Sequence, residues 1–381
     1  MSQKWTNELL DRKRLIGDPK ADALIAELVT EQGPAGARKI FEQLITNVEI
    51  PVRELTPKLQ DFIHAHRELP AHANWEQVRK ASELFIDHGP KFLLFLYYKS
   101  LPQLYLNAKG AVVLEKTSRL THQGSDMKIF ARRVAETGQF LLDVMAPGNL
   151  APGGKGLQAI QKVRLIHASV RHFMPADQWD TTELGVPINQ EDLAQTLMTF
   201  SISPLDTLTD FNVPESEERL KAYLFTWNYI GELLGVDVDL LPTDLEDARD
   251  LLRTIMKRQA AASEAGQLLV KALIEFTKTN LPTDFERTPE LLMIHMIGRE
   301  QAALLGVTTE TGCLGALIPE FIKAYFNWGE RLEDKLQGPL HLFIQHLARR
   351  TTQAMVNYFD KYKGRNFEIP ESLQRAWAIR E

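Results

Sequence analysis

The sequence has little cysteine and little net charge. Its 381 residues include one cysteine, Cys313, which cannot form a disulfide or a thiolate cluster within one chain. A disulfide scaffold, a cysteine-based zinc finger and a cysteine-ligated iron–sulfur centre are therefore excluded. The net charge of −6 supplies no positive field for a polyphosphate backbone, so nucleic acid is not an expected partner.

Long hydrophobic runs are also absent. The most apolar stretch, residues 92–106, is shorter than the ~20 residues that a membrane crossing needs, and it contains Lys99 and Pro102. Residues 1–18 mix both charge signs and include no apolar run of signal-peptide length. We therefore expect no transmembrane segment and no export signal, and we predict a cytoplasmic protein with an internal apolar helix at residues 92–106.

Common catalytic motifs are missing as well. The sequence contains no GxxxxGK[ST] loop, no GxGxxG after a strand, no HExxH and no GxSxG. Its local histidine pairs, His64 with His66 and His341 with His346, are two and five residues apart, which is off the same-face spacing of a helix. Local pairs therefore cannot form a histidine metal cluster.

Helical periodicity dominates what remains, and strand alternation is hard to find. We predict an all-α protein without internal repeats, coiled-coil heptads or flexible linkers, and we interpret residues 1–381 as one domain. The predicted helices cover residues 20–31, 34–47, 53–67, 75–98, 126–145, 155–174, 189–200, 215–234, 243–279, 288–305, 314–330 and 338–362.

One predicted helix carries an unusual polar group. In KVRLIHASVRHFM, residues 162–174, Arg164, His167 and Arg171 are spaced three and four residues apart and share one face. Two cations lower the basicity of a histidine between them and are costly to bury, so an anionic group is expected nearby. A neutral imidazole that binds a haem iron, with arginines at the propionates, would satisfy all three residues. A surface helix whose polar residues face water or a carboxylate is the open alternative.

The preceding long helix carries a second polar row. Arg133, Glu136 and Thr137 are three and four residues apart within DMKIFARRVAETGQFLLDVMAPG, residues 126–148. These side chains could line a cavity between helices. An exposed ion pair of Arg133 with Glu136, which would contribute little to stability, is equally compatible with the spacing.

Four sequence blocks together resemble a known family. The blocks RRVAETGQFLLDVMAPGNLAPGGKG, KVRLIHASVRHFM, GVPINQEDLAQTLMTFS and YLFTWNYIGELLGVDVDLLP occur in this order. They resemble the bacterial and fungal haem proteins that include the latex-clearing rubber oxygenases and the oxygenase of mycophenolic acid biosynthesis. The resemblance covers residues 75–241 and implies a globin-like helical core with one b-type haem. Residues 1–74 would be an N-terminal helical extension, and residues 242–381 would be C-terminal helices that complete the fold.

The resemblance also implies site residues. His167 matches the histidine that holds the haem iron, and Arg171 matches the arginine four residues after it. Arg133 and Thr137 match a distal arginine and threonine, with Thr137 thirty residues before His167. Glu136 departs from the pattern, because it replaces a lysine that can bind iron. The distal glutamate of the rubber enzymes falls near Thr117, with Glu115 as a loose candidate.

The function implied by the resemblance is a haem b-dependent oxygenase. It would act with O₂ on a small hydrophobic substrate, an alkene of isoprenoid type. Arg133, Glu136 and Thr137 would be catalytic, Arg164, His167 and Arg171 would bind the cofactor, and His167 would be the metal ligand. Because Cys313 lies outside any CxxCH motif, covalent haem attachment is excluded. The alternatives are a haem sensor or carrier without oxygenase turnover, and a helical binding module without cofactor; the oligomeric state is open.

Overall fold

The computed structural model describes residues 4–46, 56–120, 126–280 and 288–308. Within these ranges every regular element is helical, and the one β-type pairing is an isolated bridge between Asn107 and Ala260. The all-α prediction is confirmed, whereas the globin-like core stays a prediction of the resemblance. None of the helices in these ranges is both long and apolar enough to cross a membrane.

The helices follow one another with short connections. The first half of the chain contains α1 (Asn7–Arg14), α2 (Pro19–Thr46), α3 (Pro57–Ala65), α4 (Trp75–Phe95), a π-helical turn (Leu96–Ser100), α5 (Leu101–Tyr105), α6 (Ala108–Leu120), α7 (Asp126–Met145) and α8 (Lys155–Phe173). The second half contains α9 (Thr181–Leu184), α10 (Gln190–Phe200), α11 (Ile202–Asp210), α12 (Glu217–Leu233), a 3₁₀ turn (Val238–Leu240), α13 (Leu245–Gln259), α14 (Glu264–Asn280), α15 (Thr288–Ile297) and α16 (Arg299–Leu304).

The chain divides into two compact units, each built from three stretches. The first unit contains Met1–Glu83, Phe140–Met198 and Lys221–Ile255, and the second contains Leu84–Gln139, Thr199–Leu220 and Met256–Glu381. The interpretation of residues 1–381 as one domain, with a family core at 75–241, stays a prediction. The predicted helices 314–330 and 338–362, together with Cys313 and the His341 and His346 pair, lie outside the described residues.

A core of α2, α3 and α8 characterises the first unit. Leu24, Ile25 and Leu28 lie on one face of α2, where they pack with Leu59 of α3 and Leu165 of α8. Burial of a side chain of this size contributes about 1.5–3 kcal/mol. The sequence predicted a helix end before residue 34, and the structure confirms it, because α2 is interrupted at a glycine with φ of +71°.

The second unit is built around the apolar run at residues 92–106. This run forms the end of α4, the π-helical turn and α5, and its aromatic side chains are buried. Phe95 stacks on Phe211, the residue that follows α11, with ring centroids 5.9 Å apart. Helices α14 and α15 pack against α5 and the π-helical turn. The predicted internal apolar helix is therefore present, with one wider turn inside it.

Several features of the fold differ from the predicted helices. The predicted helix 243–279 is two helices, because the backbone N–H of Ala261 donates to Leu106 O at 3.1 Å and Ser263 Oγ accepts from Gly266 N at 3.1 Å. The first bond draws the chain out of the helix, and the second caps the start of α14. The predicted helix 288–305 is also two helices, α15 and α16, separated by Gly298 with φ of +84°. Helices α1, α6, α9 and α11 were not predicted.

Candidate active site

Helix α8 carries three of the predicted site residues, and a tight turn sets its start. Gly154 precedes the helix, and Gly156 lies in its first turn. A Cβ atom on Gly156 would lie 2.8 Å from the backbone oxygen of Asp143 and 3.1 Å from Cα of Val144, at the end of α7. A side chain at this position would therefore force the end of α7 away from α8.

His167 lies near the middle of α8 and is half-buried. Its Nδ1 atom is buried and has no hydrogen-bond partner among the residues that the structure describes. The pKa of His167 is lowered to about 3, first by burial and then by the positive charge of Arg171, while Asp18 opposes the change. The imidazole is therefore neutral at neutral pH, which is the form that binds a metal.

Arg164, one turn before His167, is bound by a carboxylate. Its Nε and Nη2 atoms donate to the two carboxylate oxygens of Asp18, with Nη2 at 3.0 Å from Oδ1, and Nη1 donates to Leu233 O at 3.2 Å. Both side chains are buried, and Asp18 is 3% exposed. The anionic group that the sequence required near α8 is therefore a side chain of this protein.

Arg171, one turn after His167, makes a similar contact. Its Nε donates to Asp22 Oδ1 at 2.7 Å, and Nη1 donates to Ile188 O at 3.1 Å. Burial raises the pKa of Asp22 against the lowering effect of Arg171. The Nη2 atom of Arg171 is buried and has no hydrogen-bond partner in the described part of the chain. Arg171 thus keeps one buried nitrogen without an acceptor, whereas Nε, Nη1 and Nη2 of Arg164 each donate to an oxygen of the protein.

Arg133 on α7 contacts α6. Nη1 donates to Leu114 O at 2.6 Å, and Nη2 donates to the hydroxyl of Thr117, which itself donates to Val113 O at 2.7 Å. The side chain is half-buried rather than fully exposed. The residue of α6 that faces Arg133 is Thr117, the position at which the family glutamate was expected.

The two other residues of the α7 row are also half-buried. The Thr137 hydroxyl donates to Arg133 O at 2.8 Å, so its proton is held by the helix and its oxygen can accept a further hydrogen bond. Glu136 lies on the same helix and interacts with other residues of the protein.

The predicted residues form two groups. Arg164, His167 and Arg171 belong to the first unit, and Arg133, Glu136 and Thr137 belong to the second. Sequence reasoning missed Asp18 and Asp22, which partner the arginines of α8. The signal for them was GDPKAD at residues 17–22, in which an aspartate precedes a proline at the start of a helix.

The chemistry of this histidine fits haem. In the described ranges no three His, Cys, Asp or Glu side chains lie close enough together to hold a metal ion. A single imidazole can hold iron when the other ligands come from a porphyrin, and the neutral His167 with its unpartnered Nδ1 meets that requirement. The buried Nη2 of Arg171 adds a donor suited to a carboxylate.

The fold and the site define an all-α protein with a neutral histidine on α8 whose Nδ1 atom is buried. Residues 94–323 match the family described as ER-bound oxygenase mpaB/B'/Rubber oxygenase, catalytic domain. The chain belongs to this family, as the resemblance predicted. The match begins at residue 94 rather than at residue 75, where the resemblance was predicted to begin, and it extends well past residue 241.

Two relatives show how far the similarity extends. The chain is 22% identical over 266 residues to a rubber oxygenase of Streptomyces sp. (strain K30), which covers 68% of this chain and 63% of the relative. The alignment thus spans less than two thirds of that relative. The structure also superposes on that of the latex clearing protein LCP in the closed state, with a TM-score of 0.73 and 20% identity, covering 90% of this chain and 91% of the other. The two proteins share a fold.

Proposed function

We propose that this protein is a haem b-dependent oxygenase that acts with O₂ on a hydrophobic alkene of isoprenoid type. The observation that carries the proposal is the neutral imidazole of His167, whose buried Nδ1 has no partner among the described residues. Membership of an oxygenase family supports the reaction class, and the name of the Streptomyces relative supports the substrate class.

His167 would hold the iron of the haem from α8. Arg171 would hold a propionate through its buried Nη2, and Arg164 would act from its fixed position against Asp18. When bound, haem supplies an iron centre that binds and activates O₂. The protein contributes a ligand that needs no deprotonation, because burial keeps His167 uncharged.

The residues of α7 would act on the oxygen and substrate side, as the resemblance implies. Arg133 is held by Leu114 O and Thr117, so its guanidinium is a fixed cation. Thr137 can accept a hydrogen bond but cannot donate one while it is bonded to Arg133 O. Glu136 is the residue of this row that can take up or release a proton at a carboxylate oxygen.

The decisive experiment is an absorption spectrum of haem-reconstituted protein in the oxidised, reduced and carbon monoxide-treated forms. A Soret band that shifts with reduction and with carbon monoxide is expected, since it reports the cofactor, its ligation and an open iron position.

His167→Ala should lose most of the bound haem while its helical circular dichroism stays unchanged. The matched control is His172→Ala, because His172 is an exposed histidine of the same helix. Equal haem loading of the two variants would mean that His167 is not the ligand.

A haem sensor or carrier without turnover is the second candidate. Glu136 favours it, because a half-buried carboxylate stands where the resembling enzymes carry a lysine that can bind iron. Oxygen uptake coupled to the loss of an alkene would decide for the oxygenase. Reversible gas binding without alkene loss would decide for the sensor.

A further inference from the structure

The N-terminal segment of the first unit, residues 4–22, is attached to the rest of that unit by ion pairs. Lys4 pairs with Asp247, Lys13 pairs with Asp237, and Arg14 pairs with Glu191 and Asp192. At the end of the segment its charged residues are acidic instead of basic: Asp18 pairs with Arg164 of α8, and Asp22 pairs with Arg171 of α8. This segment lies before residue 94, where the family match begins.

We propose that Asp18 is a positioning residue for His167, acting through Arg164. It cancels the charge of the guanidinium one helical turn from the imidazole and fixes that guanidinium against α2. The inference rests on the proposed function, in which His167 holds the haem iron.

The first support is the geometry of the Asp18 and Arg164 pair. Two guanidinium nitrogens donate to two different carboxylate oxygens, which is the strongest arrangement for this pair of groups. Both residues are at least nine-tenths buried. A buried guanidinium without a counter-charge is strongly destabilising, so Asp18 is the group that allows Arg164 to be buried one helical turn before His167.

The second support is that Asp18 is itself held rigidly. Asp18 Oδ1 accepts from the backbone N–H of Ala21 at 3.3 Å, and the backbone N–H of Asp18 donates to Asp22 Oδ2 at 3.1 Å. Gln190 bonds the flanking backbone, because its Nε2 donates to Gly17 O at 2.7 Å and to Gly235 O at 2.9 Å. The carboxylate is thus placed by the start of α2 and by α10, in addition to its contact with α8.

The third support is the charge balance around His167. Arg164 and Arg171 would place two positive charges on the helix face that carries the imidazole. Positive charge near a haem favours the reduced iron, so a carboxylate that cancels one of them lowers the midpoint potential. Asp18 cancels the charge of Arg164 more completely than Asp22 cancels the charge of Arg171. Asp22 is partly exposed, and Nη2 of Arg171 has no hydrogen-bond partner among the described residues.

The test is a charge cycle on this pair, read as the midpoint potential of the haem-loaded protein. Asp18→Asn should raise the potential, Arg164→Gln should lower it, and the double variant should return close to the wild-type value. The control is Asp239→Asn, which removes a 71% exposed carboxylate that pairs with Lys13 of the same segment. It should leave the potential unchanged.

The outcomes separate an electrostatic role from a merely structural one. A structural role would shift the potential in the same direction in both single variants, because each breaks the same pair; this result, or an unchanged potential in both single variants, would overturn the proposal. If Asp18→Asn does not fold, Arg164→Gln and the double variant still test the proposal. The double variant removes both charges and therefore leaves no unpaired buried ion.

A haem-free readout keeps this inference separate from the proposed function. In protein labelled with ¹⁵N-histidine, the ring signals of His167 are identified by their loss in His167→Ala. Asp18→Asn should shift these signals, and Asp239→Asn should not; unchanged signals in both would overturn the role of Asp18. If the wild-type protein takes up no haem, the proposed function fails, and these spectra alone decide on Asp18.

Discussion

At the scale of single residues, buried charges determine much of the specific structure of the first unit. Lys13, Arg14 and Arg164 are all buried, and each contacts at least one carboxylate. Loss of one partner of such a pair costs about 3–5 kcal/mol, whereas replacement of both partners is often neutral. These pairs therefore select one arrangement of helices more than they add stability.

Gly235 provides a test of this view at one residue. It has φ of +84°, and a Cβ atom there would overlap Oδ2 of Asp18 and lie 3.0 Å from Nε of Arg164. We expect Gly235→Ala to lower the free energy of unfolding by about 3–5 kcal/mol, because it separates a buried ion pair. Denaturant unfolding measures the loss.

The matched control is Gly148→Ala. Gly148 has φ of +80°, but a Cβ atom there would have no neighbour within 4 Å. Its cost should be limited to backbone strain of about 1–2 kcal/mol. Similar losses in both variants would show that contact with Asp18 and Arg164 is not what requires glycine at position 235.

At the scale of helices, α2 and α8 form the central pair of the first unit. They contact each other more extensively than the other helix pairs in the described ranges. The apolar spacing on α8 was readable from the sequence, so its limits and the shared face of Arg164, His167 and Arg171 were predicted. The partner of that face was not, because amphipathic periodicity marks a buried face without naming what covers it.

Leu165 tests this helix pair. It is 0% exposed and packs in the core of α2, α3 and α8. Leu165→Ala should lower the free energy of unfolding by about 2–5 kcal/mol, since it removes buried methyl groups and leaves a cavity. Leu268→Ala is the control, because Leu268 is 49% exposed, and it should change stability by less than about 0.5 kcal/mol. A loss in Leu165→Ala no larger than that of the control would contradict the packing described for α8.

Helix α6 shows where local sequence patterns were insufficient to predict a helix. Its sequence, AKGAVVLEKTSRL, has a glycine in its first turn and no acidic residue there, so no start signal was visible. The bonds from Arg133 of α7 to Leu114 O and Thr117 depend on that helix being present. The prediction that Arg133 is a special residue was therefore made without knowledge of its partner.

At the scale of the whole molecule, carboxylates that hold distant parts of the chain predict sensitivity to acid. Burial would raise the pKa of Asp247, but hydrogen bonds from Lys4 and from the backbone N–H of Thr243 outweigh it, and the pKa is lowered. Asp237 behaves in the same way through Lys13. A folded-state pKa below the unfolded value of about 3.9 stabilises the fold above that pH, and the contribution is lost as the pH falls through the folded pKa.

We therefore expect the thermal unfolding midpoint to fall steeply below about pH 4. Asp247→Asn should be less stable than the wild type at neutral pH and should show a shallower decline in acid, because the titrating group is gone. Asp177→Asn is the control, since Asp177 is exposed. Parallel declines of the wild type and Asp247→Asn would contradict the link between this contact and acid sensitivity.

The sequence by itself determined the all-α class, most of the helix limits and the row of Arg164, His167 and Arg171, because these follow from spacing along a single helix. It also determined the family, since four ordered blocks were recognisable. Only the tertiary structure decided that Asp18, 146 residues before Arg164, is the counter-charge beside His167. The reason is physical: a helix face is a local property, whereas the group that meets it depends on how the whole chain packs.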